Sequence, residues 1–235
     1  MAADEDGFVR VTGRRKARAR PMPPSYAANF NDDDDGDDAV DVAALATHIR
    51  AVAAQLQATP LGKQTVEHVR RAAAGRRVRL VCYGVGRLAR SRQSQAQLAF
   101  LLCLREALGD VVAAPLVCEP AFGAADHALV ALLDMAVLAD NAGGRVDLLP
   151  DDGDCAVLFM PHCPLELTNA VLWAHWAPAR LSRLLLIGNS FDHYETSLTA
   201  RQLGAQGPLV QRALAITAET PLHRLNHGHP KVQFQ

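Results

Sequence analysis

The chain has 235 residues, 49% hydrophobic and 21% charged, which suits one domain with a full apolar core and excludes a fibrous or wholly unstructured protein. Its formal net charge of −1 gives no overall pull toward nucleic acid or an anionic membrane. Five cysteines, odd in number and without a CxxC pair, exclude a disulfide framework as the expected architecture and favour reduced thiols in the cytosol or nucleus.

Residues 1–38 carry six basic and nine acidic residues and lack hydrophobic periodicity, so they read as a disordered charged tail ahead of a domain over 39–235. The tail holds a basic block, Gly13 to Arg20, and an acidic one, Asp32 to Asp38. The basic block reads as a solvated segment, a nuclear-import signal or a weak nucleic-acid contact. The N-terminus has no apolar signal core, and no apolar run approaches the roughly 20 residues that span a bilayer. Neither secretion nor membrane insertion is expected.

Val42, Leu45, Ile49, Val52 and Leu56 recur at steps of three and four, which predicts a helix ended by Thr59-Pro60. A second helix is expected over Lys63 to Ala74, with Gly75 as its stop. The pattern then alternates. Strand-length apolar runs fall at Val78 to Tyr83, Val111 to Cys118, Val146 to Leu149, Ala156 to Met160 and Leu184 to Ile187. Helical stretches fall at Ser94 to Leu108, Asp126 to Ala139, Glu166 to Trp176 and Leu198 to Ile216. Continuous rather than alternating strands suit a sheet buried on both faces. The expected fold is therefore a Rossmann-like three-layer α/β domain, preceded by two helices, with a mostly parallel sheet of about five strands. The default strand order is 3-2-1-4-5.

Ligands of such sheets bind beyond the carboxyl ends of the strands. Those ends carry Gly84 and Gly86, then Glu119, then Pro161-His162-Cys163-Pro164, then Gly188-Asn189-Ser190. Glycines in the first turn admit close backbone approach and leave helix amides open to an anion. Ala89 stands where a third fingerprint glycine would be, so this is also readable as a plain structural turn. Ser94 and Gln95 add hydrogen-bonding groups, with Ser94 also a candidate helix cap. Glu119 occupies the strand end where nucleotide folds place a ribose-binding acid.

His162 and Cys163, held between two prolines, leave several readings open. They are a nucleophilic pair without a nameable orienting acid, a metal site recruiting His175 or Cys155 without zinc-type spacing, haem-iron ligands led by the Cys163 thiolate, or a structural turn. The tract His223 to His229 is metal-capable by composition but reads as incidental. Trp173 and Trp176, three apart on one helix, read as core or rim packing.

These strings, in order, resemble the SRR-like (sensitivity to red light reduced) family. The resemblance runs through Tyr83-Gly84-Val85-Gly86 with Ser91, Ser94, Gln95 and Leu98; Glu119-Pro120 with Phe122; Phe159 to Pro164; Leu172 to Trp176; and Leu186 to Phe191 with Tyr194, strongest over 76–200. Two positions depart from the family pattern: Glu119 stands for an aspartate and His175 for an asparagine. The resemblance implies a regulatory protein of the cytoplasm or nucleus, with roles in circadian-clock input and haem biosynthesis and no established reaction.

The leading expectation is thus a non-enzymatic regulator that binds haem or another small ligand at the strand ends through Gly84, Gly86, Ser94, Gln95, Glu119, His162, Cys163, Asn189 and Ser190, with protein partners. One alternative is a nucleotide- or S-adenosylmethionine-dependent enzyme such as a methyltransferase, by fold analogy. Another is a pure protein-interaction module.

Overall fold

A computed structural model of the protein describes residues 40–138, 142–149 and 153–222. The charged tail and the histidine tract at 223–229 lie outside these residues.

Asp41 accepts the Ala44 N–H at 2.9 Å and so starts helix α1, Val42–Ala58, whose buried face is Ala46, Ile49, Val52, Ala53 and Leu56. Thr59 ends this helix and begins the next: its hydroxyl donates to Leu56 O at 2.6 Å and accepts from Gly62 N at 3.0 Å. Pro60, whose missing N–H costs nothing at a first helical position, opens α2, Pro60–Ala73. The chain leaves α2 through two left-handed residues, Ala74 and Gly75.

Strand β1 is Arg77–Tyr83 and is followed by α3, Arg92–Leu108. The cap of α3 is Ser91, which accepts the Ser94 N–H at 3.2 Å; Ser94 lies inside the first turn rather than capping it. Strand β2 is only Leu116–Cys118, shorter than the Val111 to Cys118 run. Gly109–Val111 forms a 3-10 turn, Val112 makes an isolated bridge to Val78, and Pro115 has no N–H to give a ladder.

Helix α4, Ala124–Leu132, stops well before Ala139. Asp134 turns the chain at φ 54°, and Ala136–Val137 becomes β3, pairing with Leu116 and Val117. The third strand is therefore this pair and not Val146 to Leu149. In that later segment Leu148 N–H donates to His175 Nε2 at 3.1 Å and Leu149 N–H to Asp147 Oδ1 at 3.0 Å, so its amides serve side chains instead of a ladder.

Strand β4, Asp154–Met160, is buried throughout. Helix α5 is Leu165–Ala174 and the short α6 is Pro178–Leu181, leading into β5, Leu184–Gly188. Helix α7, Phe191–Ser197, precedes the expected helix over Leu198 to Ile216, which is itself two pieces: α8, Ala200–Gln206, and α9, Pro208–Ala213. Thr199 caps α8, and Gly207-Pro208 breaks the run before α9.

The sheet is all parallel in the order β3-β2-β1-β4-β5, which is a Rossmann-like core. The largest apolar cluster packs α1 to α4 on one face, with Phe100 of α3 and Phe159 of β4 at 5.4 Å between ring centroids. The other face carries Leu148, Leu149 and Val171, and a third cluster joins α5 to α7–α9. Among the described residues no helix is long and apolar enough to cross a membrane. The helices that follow β1 and β4 pack on opposite faces of the sheet.

Candidate functional site

The loop leaving β1 is held by two carboxylates. Gly86 (φ 78°) donates its N–H to Glu119 Oε2 at 2.7 Å, and Ala89 donates to Asp126 Oδ1 at 2.7 Å. The other oxygens are also committed: Glu119 Oε1 accepts from Ala121 N at 3.1 Å and Asp126 Oδ2 from Gly123 N at 3.0 Å. Glu119 is 6% exposed and Asp126 fully buried. Arg87 Nε lies 3.8 Å from Asp126, adding positive charge beside that carboxylate. The amides that a dinucleotide fold turns toward a pyrophosphate are thus filled by the protein's own anions.

Ser94 and Gln95 support the same loop from α3. Gln95 Nε2 donates to Leu88 O at 2.9 Å, and a Cβ at Gly86 would lie 2.8 Å from Ser94 Oγ. The close approach and the left-handed φ both demand glycine at 86.

Cys163, from the turn after β4, donates its thiol to Tyr83 O at 3.3 Å and abuts Gly84, where a Cβ would lie 2.9 Å from Sγ. Burial, then the charges of Glu119 and Cys118, push this thiol up to about 12. All five thiols are buried. A protonated, interior Cys163 that already serves a carbonyl does not fit a haem thiolate or a nucleophile. His162 is exposed, at a left-handed φ of 55°. The neighbouring histidine and thiol therefore face apart, one outward and one inward.

His175 and Cys155 do not join this turn. His175 Nδ1 donates to Val171 O at 2.8 Å while Nε2 accepts from Leu148 N, so both ring nitrogens are taken. Cys155 lies at the opposite end of β4. Among the described residues no group of three or more His, Cys, Asp or Glu side chains is placed to hold a metal.

Asn189, after β5, closes the rim: its amide donates to Cys163 O at 3.0 Å and to Tyr194 OH at 3.1 Å. Ser190 faces the other way, donating to Glu219 Oε2 at 2.6 Å. The rim thus gathers Gly84, Gly86, Glu119, Cys163 and Asn189, with Ser94 and Gln95 behind it, His162 outside it and Ser190 turned from it.

Sequence reasoning did not single out Asp126 or Glu219. An acid three residues past Gly123 was a readable capping signal for Asp126; nothing local marked Glu219. Of the two tryptophans, Trp176 packs half-buried against the third apolar cluster as expected, and Trp173 departs from the packing expectation. Trp173 is 62% exposed with Arg145 stacked 5.6 Å from its centroid, and Trp176 carries Arg212 at 5.1 Å.

Fold and rim define a doubly wound parallel α/β protein whose strand-end loops are cross-braced by internal carboxylates, a thiol and an amide. The sequence matches the SRR1 domain over residues 53–234, and the chain belongs to that family. It is 34% identical to the SRR1-like protein of Mus musculus over 141 residues, 60% of this chain and 55% of that one. It is 27% identical to the SRR1-like protein of Drosophila melanogaster over 144 residues (61% and 48%). With Protein SENSITIVITY TO RED LIGHT REDUCED 1 of Arabidopsis thaliana, identity is 29% over 125 residues (52% and 43%). The chain spans about half the length of these curated relatives. No solved structure matches it.

Proposed function

We propose that this protein is a non-enzymatic regulator whose binding face is the rim at the carboxyl ends of β1, β2, β4 and β5. The observation that carries the reading is that the rim's reactive groups are committed to one another: Glu119 to Gly86 and Ala121, Cys163 to Tyr83, and Asn189 to Cys163 and Tyr194. A general base or nucleophile must present its reactive atom to a substrate, and here those atoms brace neighbouring loops. Similarity to the Arabidopsis protein named for reduced sensitivity to red light supports a role in light input, and clock input is what the family resemblance adds. Regulation of haem biosynthesis enters as a second output that the family resemblance implies. Protein partners and a small ligand at the rim, in the cytoplasm or nucleus, complete the reading.

Calorimetric titration with nucleotides, nicotinamide dinucleotides and S-adenosylmethionine tests it against the enzyme alternative. No heat of binding is expected from any of them. Binding that Gly86→Ala or Glu119→Gln abolishes would replace the regulator with a cofactor-dependent enzyme. For haem, the geometry leaves His162 as the accessible side chain of the pair. A Soret shift lost in His162→Ala supports haem at the rim, and an unchanged Soret band removes it.

A further inference from the structure

Residues 217–222 follow α9 as an extended, mostly exposed strap with no helix or strand of their own. One carboxylate anchors the strap. Glu219 Oε1 accepts from Phe191 N at 2.6 Å and Asp192 N at 3.3 Å, while Oε2 accepts from Ser190 Oγ at 2.6 Å. Farther along, Pro221 O accepts from Gln64 Nε2 at 3.0 Å, and Leu222 packs on the main apolar cluster. The strap therefore ties the start of α7 to α2.

The anchored loop is continuous with the rim. Asn189, next to Ser190, holds Cys163 O, and the Cys163 thiol holds Tyr83 O against Gly84. A run of contacts thus links Glu219, through residues 189–192 and the Pro161–Pro164 turn, to the glycine loop. Two of the three anchor bonds, from Ser190 Oγ and Asp192 N, are solvent-exposed, and exposed polar contacts each contribute little net free energy, so this anchor is of a kind that opens locally while the sheet stays folded.

We propose that residues 217–222 are a releasable latch that sets the geometry of the Pro161–Pro164 turn and so regulates the binding face. Its regulatory use rests on the recognition reading above; the latch itself does not. Anything that puts negative charge on Ser190 would set two anions against each other at the anchor and open it.

Hydrogen exchange of the full chain, followed by mass spectrometry without added ligand, tests the latch alone. In Glu219→Ala, exchange should rise by about tenfold or more at residues 189–192 and at 161–165, with β1 and β4 unchanged. Ser190→Asp should give the same pattern, and adding Glu219→Lys to Ser190→Asp should restore protection at 161–165 by making a new ion pair, while Phe191 and Asp192, whose N–H groups a lysine cannot accept, stay exposed. A rise confined to 189–192 and the strap, with 161–165 at its wild-type rate, overturns the proposal. So does a double variant as exposed at 161–165 as Ser190→Asp alone. Because no cofactor is present, this failure is distinct from that of the recognition reading, which the calorimetric titration decides.

Discussion

The Glu119 carboxylate accepts the N–H of Gly86 at 2.7 Å, across 33 residues of chain and two strand ends. This bond puts an internal anion where a nucleotide fold places a ligand. Both oxygens of a nearly buried carboxylate are used, so Glu119→Ala strands the Gly86 and Ala121 amides. The expected loss is about 2–3 kcal/mol, read as a shift in the urea midpoint without a change in slope. A change below ~0.5 kcal/mol would mean that water replaces the carboxylate freely.

Gly84 and Cys163 form a second contact that stability can read. Gly84→Ala requires a left-handed alanine, costing about 1–2 kcal/mol, and drives a methyl to 2.9 Å from Cys163 Sγ. Cys163→Ala removes that sulfur. The double variant should cost less than the two single variants summed, by about 0.5 kcal/mol or more. Strict additivity in thermal denaturation would show that the sulfur does not limit the space at 84.

Tyr83 is fully buried, yet its hydroxyl has no hydrogen-bond partner among the described residues. An unpaired buried hydroxyl is a desolvation cost. Tyr83→Phe should therefore be neutral or stabilising by up to about 1 kcal/mol, measured as an unchanged or raised melting temperature. A marked fall would reveal a partner for the hydroxyl.

Alkaline pH should weaken the fold through its thiols. Cys163 and Cys103 are raised from 9.0 to about 12, in each case chiefly by burial. Above pH 9 the unfolded chain releases protons that the folded chain keeps, so stability present below that pH declines toward pH 12. Each thiol contributes a slope of about 1.4 kcal/mol per pH unit. Urea titrations at pH 8, 9.5 and 10.5 should show this decline, and Cys163→Ala should flatten it. Equal slopes in the two proteins would contradict an interior Cys163.

Much of this was legible in the sequence, and the exceptions share a cause. Strands β1, β4 and β5 are continuous apolar runs with punctuated ends, and their positions could be read from that pattern; the strand order was only the default of doubly wound folds, which the structure matches. The third strand could not, because Ala136–Val137 is two residues inside a longer apolar stretch that continues the helical pattern of α4. Only pairing with β2 makes it a strand. Val146 to Leu149 has strand composition, but a distant histidine takes its amide at Leu148. The rim followed the same rule. Polar residues at strand ends marked Glu119, Cys163 and Asn189, while what each side chain faces depends on contacts 26 to 80 residues away. Composition cannot carry that information.

Hydrogen exchange at the Gly86 amide, measured by NMR with and without nucleotides and S-adenosylmethionine, tests most directly whether the protein's own carboxylate fills this loop. The account predicts a protected Gly86 in the ligand-free protein, unaltered by any of these compounds and exchanging about a hundredfold faster in Glu119→Ala. A Gly86 amide that exchanges freely in the wild type and gains protection only when a cofactor is added would contradict it.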